Sequence, residues 1–296
     1  MSSRSTQRIH PTAIISKETE IGAGVIIGPH VVIEGAVRIG PGCILRPFAH
    51  LHGPLSMGSH NQIFTGAVLG EDPQHSRYKG EPTSLKIGDN NIFREMVTIH
   101  RGTVHSRTTR IGSGNFFMAN SHIAHDCQIG DDCVLANSAL VGGHCILENN
   151  AYLSGNSAVH QFRRIGRLAH LDTCSVMTID LPPFVLAQGF NTFCGVNILG
   201  MRRAGHTHFE IEATQRAFHI LYRENNILSV ALEKMDRELV GVAAVEELTE
   251  FIRSSADRCT KNTSTSPRLN KEKSRQIDGS ANKKRPYVGA SREVVR

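Results

Sequence analysis

Tryptophan is absent from this 296-residue chain, and aromatic residues make up only 5% of it. A core so poor in bulky rings suits thin, regularly stacked layers better than a thick globular interior. No apolar run reaches the ~18 residues of a membrane-spanning helix, and Met1 to His10 lack the apolar stretch of a signal peptide. A cytoplasmic protein is therefore expected. No Cys-x-x-Cys pair occurs among the seven cysteines (Cys43, Cys127, Cys133, Cys145, Cys174, Cys194 and Cys259). Neither a zinc knuckle nor a disulfide framework is indicated, and the thiols read as reduced, mostly buried small hydrophobes. A basic folded body is lacking too. The net charge is +6, yet residues 261–296 hold ten Lys/Arg against three Asp/Glu, a net +7 that leaves about −1 elsewhere. The high pI belongs to a tail and gives no reason to expect nucleic acid as a partner.

What is present is a period of six. From Ile15, steps of six residues meet Ile21, Ile27, Ile33, Ile39, Leu45, Leu51, Met57, Ile63 and Leu69. The same register holds at Ile87, Phe93, Ile99 and Ile111, and then from Phe117 to Met177; His75, Glu81 and His105 alone break it. Six matches neither a 3.6-residue helix nor a long two-residue alternation. It matches a coil whose flat sides are very short strands, each sending one aliphatic side chain inward. Glycine often follows that residue, as at Gly22, Gly40, Gly58, Gly112, Gly130 and Gly166, where tight corners and close backbone approach are expected. Three hexapeptides make a triangular coil, and successive coils stack roughly 4.8 Å apart. Periodicity leaves the hand open; the general rule for parallel crossovers is right-handed.

Two stretches outrun one coil, Glu71–Leu85 and Arg101–Arg110, and both read as projecting loops of the kind that carry binding function in repeat proteins. After Met177 the pattern stops, since the prolines of Leu181-Pro182-Pro183-Phe184 cannot donate to a ladder. From Phe209 to about Ser254 the spacing turns helical, with Phe218, Leu221 and Tyr222, then Leu228, Val230 and Leu232, on candidate apolar faces. The expected organisation is a hexapeptide-repeat parallel β-helix over 1–190, an α-helical domain over 191–257, and a disordered basic tail over 258–296.

Sixteen histidines are many for this length, and His100, His105, His122, His125, His144, His160 and His170 lie close together in the chain. An 18-residue coil turns spacing into proximity: it stacks Gly143 on His125 and His144 on Asp126. A neutral imidazole can take a proton from an alcohol while a carboxylate sets its tautomer. A backbone N–H without a side chain in the way can meet a developing oxyanion. These are the needs of acyl transfer to a hydroxyl. Isolated corner histidines such as His30, His50, His52 and His60 are more simply solvent-facing. A zinc site is not expected: His122 and His125 lack the spacing of the β-helical carbonic anhydrases, and no third ligand suggests itself.

The segments His100-Arg101-Gly102-Thr103, His122-Ile123-Ala124-His125-Asp126-Cys127, Ala158-Val159-His160-Gln161-Phe162, Ala187-Gln188-Gly189 and Gly195-Val196-Asn197-Ile198 carry a resemblance. So do Gly80-Glu81-Pro82-Thr83 and Arg202-Arg203. Over about residues 9–255 the chain resembles the acyl-carrier-protein–UDP-N-acetylglucosamine O-acyltransferases, which begin lipid A biosynthesis. The resemblance implies a left-handed β-helix, a homotrimer with active sites between prisms, and no metal or organic cofactor. It also implies transfer of an (R)-3-hydroxyacyl chain from acyl carrier protein to the 3-hydroxyl of UDP-N-acetylglucosamine. By position, His125 would be the general base, Asp126 its orienting partner and Gly143 the oxyanion donor. His122, His144, His160 and Gln161 would contact sugar and phosphates, and Asn197 and Arg203 would lie near the nucleotide.

Four positions depart from the family pattern. His75 and Arg77 stand in the first loop where the family usually has Asp and Lys, and Leu199 stands where a Glu is usual. Thr173, at a position that helps set acyl length, differs from the Gly or bulkier residue of relatives and is expected to shorten the accommodated chain. His75 and Arg77 remain candidate substrate contacts, and Thr173 a candidate acyl-pocket residue. Competing readings are an N-acyltransferase acting on a 3-amino nucleotide sugar and a non-catalytic trimer that binds acyl carrier protein. Arg163, Arg164, Arg167, Arg202 and Arg203 are candidates for a basic carrier-docking surface, each weighed equally against ordinary solvated charge.

Overall fold

The computed structural model describes residues 8–258. Short strands stack into three sheets of 11, 9 and 8 strands, parallel but for the last strand of the first, one for each face of a left-handed triangular prism. In regular coils each strand pairs with the one 18 residues on: Ile26 with Ile44, Ile14 with Val32, Glu20 with Arg38. Inward side chains form continuous columns. Ile27, Leu45, Ile63, Phe93, Phe117 and Leu135 line the first face and are all buried. Phe93 and Phe117 stack face to face at 5.1 Å, the way a column of thin layers accommodates two rings.

The corners are turned by residues with left-handed backbone, among them Asp126 (φ 61°), His144 (φ 62°) and Phe162 (φ 63°) on successive coils. The glycines after the aliphatic positions serve the close backbone approach expected of them rather than the tight corner. A Cβ on Gly142 would lie 2.7 Å from the backbone N of Gln161. Close approach of the next coil, rather than a left-handed φ, demands glycine there.

A column of asparagine amides is buried just before the first-face strands. Asn91 Nδ2 donates to Asn61 Oδ1 and Asn115 Nδ2 to Asn91 Oδ1, each at 2.9 Å, and Asn115 Oδ1 accepts from the Cys133 N–H at 2.8 Å. Cys43, Cys127, Cys133 and Cys145 occupy buried inward positions as free thiols, whereas Cys174 and Cys194 are exposed. Cys259 lies outside the described residues.

Two segments leave the ladder. Residues 72–83 run between the strands Val68–Glu71 and Ser84–Ile87, and residues 101–107 between Thr98–His100 and Thr108–Ile111. Stacking resumes across both, with Gln62 on Ile92 and Ile92 on Phe116.

The coil does not end at Met177. Leu181 bridges Ile165, and Val185–Gln188 pairs with the strand of His170 and Leu171. Pro182 and Pro183 need no donor because they lie between those two pairings. An antiparallel strand, Thr192–Val196, then closes this sheet. Four helices follow: α1 (Ile198–Arg203), α2 (His208–Tyr222), α3 (Leu228–Glu238) and α4 (Ala243–Arg258). Helix α2 begins with a reciprocal cap between Thr207 and Glu210. It sends Phe218 and Tyr222 against the solenoid core. The face expected for α3 is partly wrong: Leu228 and Val230 are each 44% exposed, and Ala231 and Met235 are buried instead. The helix meets α2 through the smaller and more flexible side chains.

Two of the five arginines considered for carrier docking fasten α4 to the prism. Arg164 donates to Glu148 (2.9 Å) and to Ser254 Oγ (2.8 Å), with its guanidinium over the Phe251 ring. Arg167 pairs with Glu247 at 2.7 Å and lies over Phe184. Their charge is neutralised inside the chain, which removes them from any free basic surface. The basic tail expected over 258–296 lies, apart from the last residue of α4, outside the described residues.

Candidate active site

The corner after the second-face strand His122–Ile123 carries the polar cluster. His125 and Asp126 occupy it on one coil, Gly143 and His144 on the next, and Gln161 and Phe162 on the one after. The chain is tied there by the His144 N–H donating to the His125 carbonyl at 3.0 Å, and by the Phe162 N–H donating to the Gly143 carbonyl at 2.9 Å. Asp suits the left-handed position because its short polar side chain tolerates that backbone.

Asp126 is a fully buried carboxylate, with 0% of its side chain exposed. Its Oδ2 accepts from His125 Nδ1 (2.8 Å) and Thr103 Oγ1 (2.6 Å), and its Oδ1 from the Thr103 N–H (2.9 Å) and Ser106 Oγ (2.6 Å). Burial pushes the Asp126 carboxyl up, but the bonds from His125, Ser106 and Thr103 outweigh it and hold the group well below the usual carboxylate range. An ionised Asp126 accepts and cannot donate, so the proton of the shared bond resides on His125 Nδ1. In the neutral ring that tautomer leaves the lone pair on Nε2.

The His125 ring lies against Gly143. A Cβ on that glycine would be 2.8 Å from Cε1 and 3.0 Å from Nε2. Among the described residues the Gly143 N–H donates to no protein acceptor. His144 stands edge-on to His125 with ring centres 5.1 Å apart, and stacks on Phe162 at 4.4 Å. Its Nε2 is 3.7 Å from Asp126. Burial, with lesser help from neighbouring histidines, lowers the His144 pKa.

Both inserts reach this corner. His75, in the first, meets the His125 ring edge-on at 5.2 Å, and His105, in the second, meets His144 in the same way. His122 accepts from or donates to Thr98 Oγ1 at 2.7 Å, faces His100 edge-on, and has its pKa lowered by burial. Arg77 is exposed, its backbone N–H donating to His75 Nδ1 at 3.3 Å. His160 and Gln161 are exposed at the next coil, the ring of His160 bonded to the Gln161 carbonyl.

Thr173, Asn197 and Arg203 are not brought to His125 within the chain. Thr173 is exposed beside Cys174, at the corner that follows the first face. Asn197 caps α1: its amide donates to the Leu168 carbonyl (2.8 Å) and its Oδ1 accepts from Gly200 N–H (3.0 Å). Arg203 is exposed in the last turn of that helix.

Four residues that spacing did not single out shape the site. Thr103 and Ser106 hold the Asp126 carboxylate, Thr109 Oγ1 accepts the Asp126 N–H at 2.9 Å, and Arg101 is a buried cation. Thr109 stands in the inward column of Leu55 and Leu85 that Cys127 and Cys145 continue, so stacking could have found it. Ser106 lies in an insert, where the period says nothing.

His100, 5% exposed, accepts the Gln74 N–H at Nδ1 (3.1 Å) and so anchors the first insert. Burial, reinforced by nearby His122, lowers its pKa from 6.5 to about 4. The unfolded chain therefore binds the proton first as pH falls. The contribution of neutral His100 to stability is full above about 6.5 and is lost as pH drops towards 4. The unfolding midpoint measured at pH 7 and pH 4.5 is expected to differ less in His100→Gln than in the unaltered chain, by about a few degrees.

Ligand atoms of His125, Asp126 and His144 lie within 4.8 Å of one another. The Asp126 oxygens are, however, already committed to Thr103, Ser106 and His125. The donor set fits a carboxylate–imidazole pair better than a metal centre. Such a pair beside a free backbone N–H can remove a proton from a hydroxyl or amine and stabilise the oxyanion of an acyl transfer.

Known proteins agree on what this arrangement is like. A family model described as UDP N-acetylglucosamine O-acyltransferase, domain 2, matches residues 180–260, and a bacterial transferase hexapeptide model matches residues 18–53 and 108–143. The acyl-[acyl-carrier-protein]–UDP-N-acetylglucosamine O-acyltransferase of Halorhodospira halophila is 48% identical over 84% of this chain and 97% of its own length. That of an Anaeromyxobacter species is 46% identical over 83% and 95%. Among solved structures, a UDP-N-acetylglucosamine acyltransferase from Bacteroides fragilis superposes with a TM-score of 0.81 at 37% identity, covering 83% of this chain and 97% of that one. The enzyme from Moraxella catarrhalis gives 0.80 at 39% identity, with the same coverage.

Proposed function

The chain belongs to the acyl-[acyl-carrier-protein]–UDP-N-acetylglucosamine O-acyltransferase family, and from that premise we propose how its own residues perform the transfer. The donor is an (R)-3-hydroxyacyl chain in thioester linkage to acyl carrier protein, and the acceptor is the 3-hydroxyl of UDP-N-acetylglucosamine. This is the first step of lipid A biosynthesis. The observation that carries the reading is the His125–Asp126 bond, made by a ring whose Nε2 lies 3.0 Å from where a Cβ on Gly143 would stand.

His125 Nε2 takes the proton from the acceptor hydroxyl as its oxygen attacks the thioester carbonyl. Asp126 stabilises the imidazolium, and the Gly143 N–H donates to the oxyanion. Collapse breaks the C–S bond, and the imidazolium returns its proton to the departing thiolate. An ester and a free carrier thiol result, with no redox change and no cofactor in any step. His122, His144, His75, Arg77, His160 and Gln161 line the approach and would contact sugar and phosphates. We take 1–190 as the catalytic β-helix and 191–257 as the helical domain.

Outward side chains support the homotrimer. The first face presents Ile26, Ile44, Ile92, Phe116, Val134 and Tyr152, all half-buried, interrupted by Gln62 and His170, and the second Val32, Val68, Leu140, Ala158 and Val176, interrupted by His50, Thr98 and His122. The third presents Glu20, Arg38, Ser56, Lys86, Arg110 and Gln128. A cyclic trimer is heterologous, so each subunit needs two different patches that complement each other, and two largely apolar faces beside one mostly polar face meet that need. His125 sits at the edge of the second face, so a neighbour's prism would complete its site. Thr173, Asn197 and Arg203 would then act across the subunit boundary, on acyl chain and nucleotide. Among the described residues no helix is long and apolar enough to cross a membrane. Free buried thiols suit a reducing cytoplasm.

His75 in place of the usual Asp and the exposed Leu199 motivate one further assay arm. Purified protein offered UDP-N-acetylglucosamine or its 3-amino analogue, with hydroxyacyl carrier proteins of several lengths, is expected to turn over the hydroxyl acceptor faster. Preference for the amine would replace the O-acyl reading with an N-acyl one. Carrier binding without turnover of either acceptor would make the chain a non-catalytic homologue.

A further inference from the structure

The two inserts are not independent loops, because one buried cation joins them. Arg101, at the root of the second insert, is 8% exposed. Its Nη1 donates to the Gly70 carbonyl at 2.9 Å and to the Gly53 carbonyl at 3.3 Å, both on the prism. Its Nη2 donates to the Asp72 carboxylate and to Tyr78 Oη, both in the first insert or at its root. The Arg101 N–H donates to the Glu71 carbonyl at 3.1 Å. One guanidinium thus grips the scaffold with one nitrogen and the first insert with the other. Between the two gripped residues, Asp72 and Tyr78, stands His75, whose ring meets His125.

We propose that Arg101 is a positioning residue, which holds the first insert closed so that His75 stands against the base His125. The proposal rests on the acyl-transfer reading for its kinetic consequence, though not for its structural one. Arginine suits the task because its planar fork serves several acceptors in fixed directions; a lysine ammonium in the same place keeps the charge but serves fewer of them in that geometry. The neighbouring residues divide the labour. Thr103, two residues on, holds Asp126, while Gln74 is held by His100. Displacing the insert therefore moves His75 without disturbing the bonds that keep Asp126 ionised.

A double-mutant cycle tests this. Arg101→Lys retains the buried charge and is expected to lower kcat/KM by about tenfold, mostly by raising KM for the nucleotide sugar, with the unfolding midpoint little changed. In a His75→Ala background the same change is expected to cost less than about twofold, since the contact it protects is already gone. Asp72→Asn, altered on the exposed side of the clamp, is expected to act in the same direction to a smaller extent. Equal losses with and without His75 would overturn the proposal, as would an Arg101→Lys loss that follows a lowered midpoint. Amide hydrogen exchange over residues 72–83 supplies a readout independent of turnover. Faster exchange in Arg101→Lys supports the clamp even if the chain acylates nothing, whereas unchanged exchange overturns it.

Discussion

His125→Ala is expected to lower kcat by about 10³-fold, within the ~10²–10⁴ range of a positioned general base, while leaving the unfolding midpoint close to its original value. The stability half of this expectation follows from Asp126. Removing His125 deletes one hydrogen bond, but Thr103 Oγ1, the Thr103 N–H and Ser106 Oγ still serve the carboxylate. No buried charge is stranded, so the large penalty for orphaning an ion does not arise. The vacated space borders Gly143 and the rings of His75 and His144 rather than the aliphatic core. Steady-state turnover and a thermal melt of the same preparation check both halves. Near-normal turnover would remove His125 as the base, and a collapsed melt would mean its main part is structural.

Gly143→Ala is expected to cost about 10²-fold in kcat, the order associated with displacing a reacting group by an ångström. The glycine has no left-handed φ to lose, so alanine fits its backbone. The added methyl would nevertheless lie 2.8 Å from Cε1, 3.0 Å from Nε2 and 3.2 Å from Nδ1 of His125. The imidazole has to move, and its bond to Asp126 moves with it. Gly142→Ala provides the contrast. There the methyl meets the backbone of Gln161 on the next coil at 2.7 Å, so stability should suffer before chemistry does. A Gly143→Ala enzyme with unimpaired kcat would show that the ring does not lie where the contact places it.

The prism was legible because a coil of constant length makes stacking a property of residue number. Ile27 over Leu45, Gly143 over His125 and His144 over Asp126 need only the period. Where the chain leaves the ladder that logic lapses. Ser106 reaches Asp126 and Arg101 reaches Asp72 through conformations particular to the inserts, which side-chain contacts decide and periodicity does not. Long cations were opaque for another reason. Arg164 and Arg167 could face solvent or a carboxylate equally well on their own coil, and the choice is made by Glu148 and by Glu247 on a helix about 80 residues away in sequence. Pairing outlasts the six-residue pattern because prolines forbid donation only at their own nitrogens. Leu181 and the strand Val185–Gln188 resume pairing on either side.

The asparagine column has a bearing on how the chain finds its way. An aliphatic ladder is degenerate: any hexapeptide can lie on any other, so a slip by six residues leaves apolar on apolar. The danger is greatest at the inserts, where the stacked residues are separated by 30 and then 24 positions instead of 18. Asn61, Asn91 and Asn115 span those two irregular steps. An amide that donates to the preceding coil and accepts from the following one is satisfied only by another amide or an equivalent backbone group, and a buried mismatch is costly. The column acts as a vernier, letting the chain extrude two loops of different length and still return to the one alignment that sets the first against His125 and the second against Asp126 and His144.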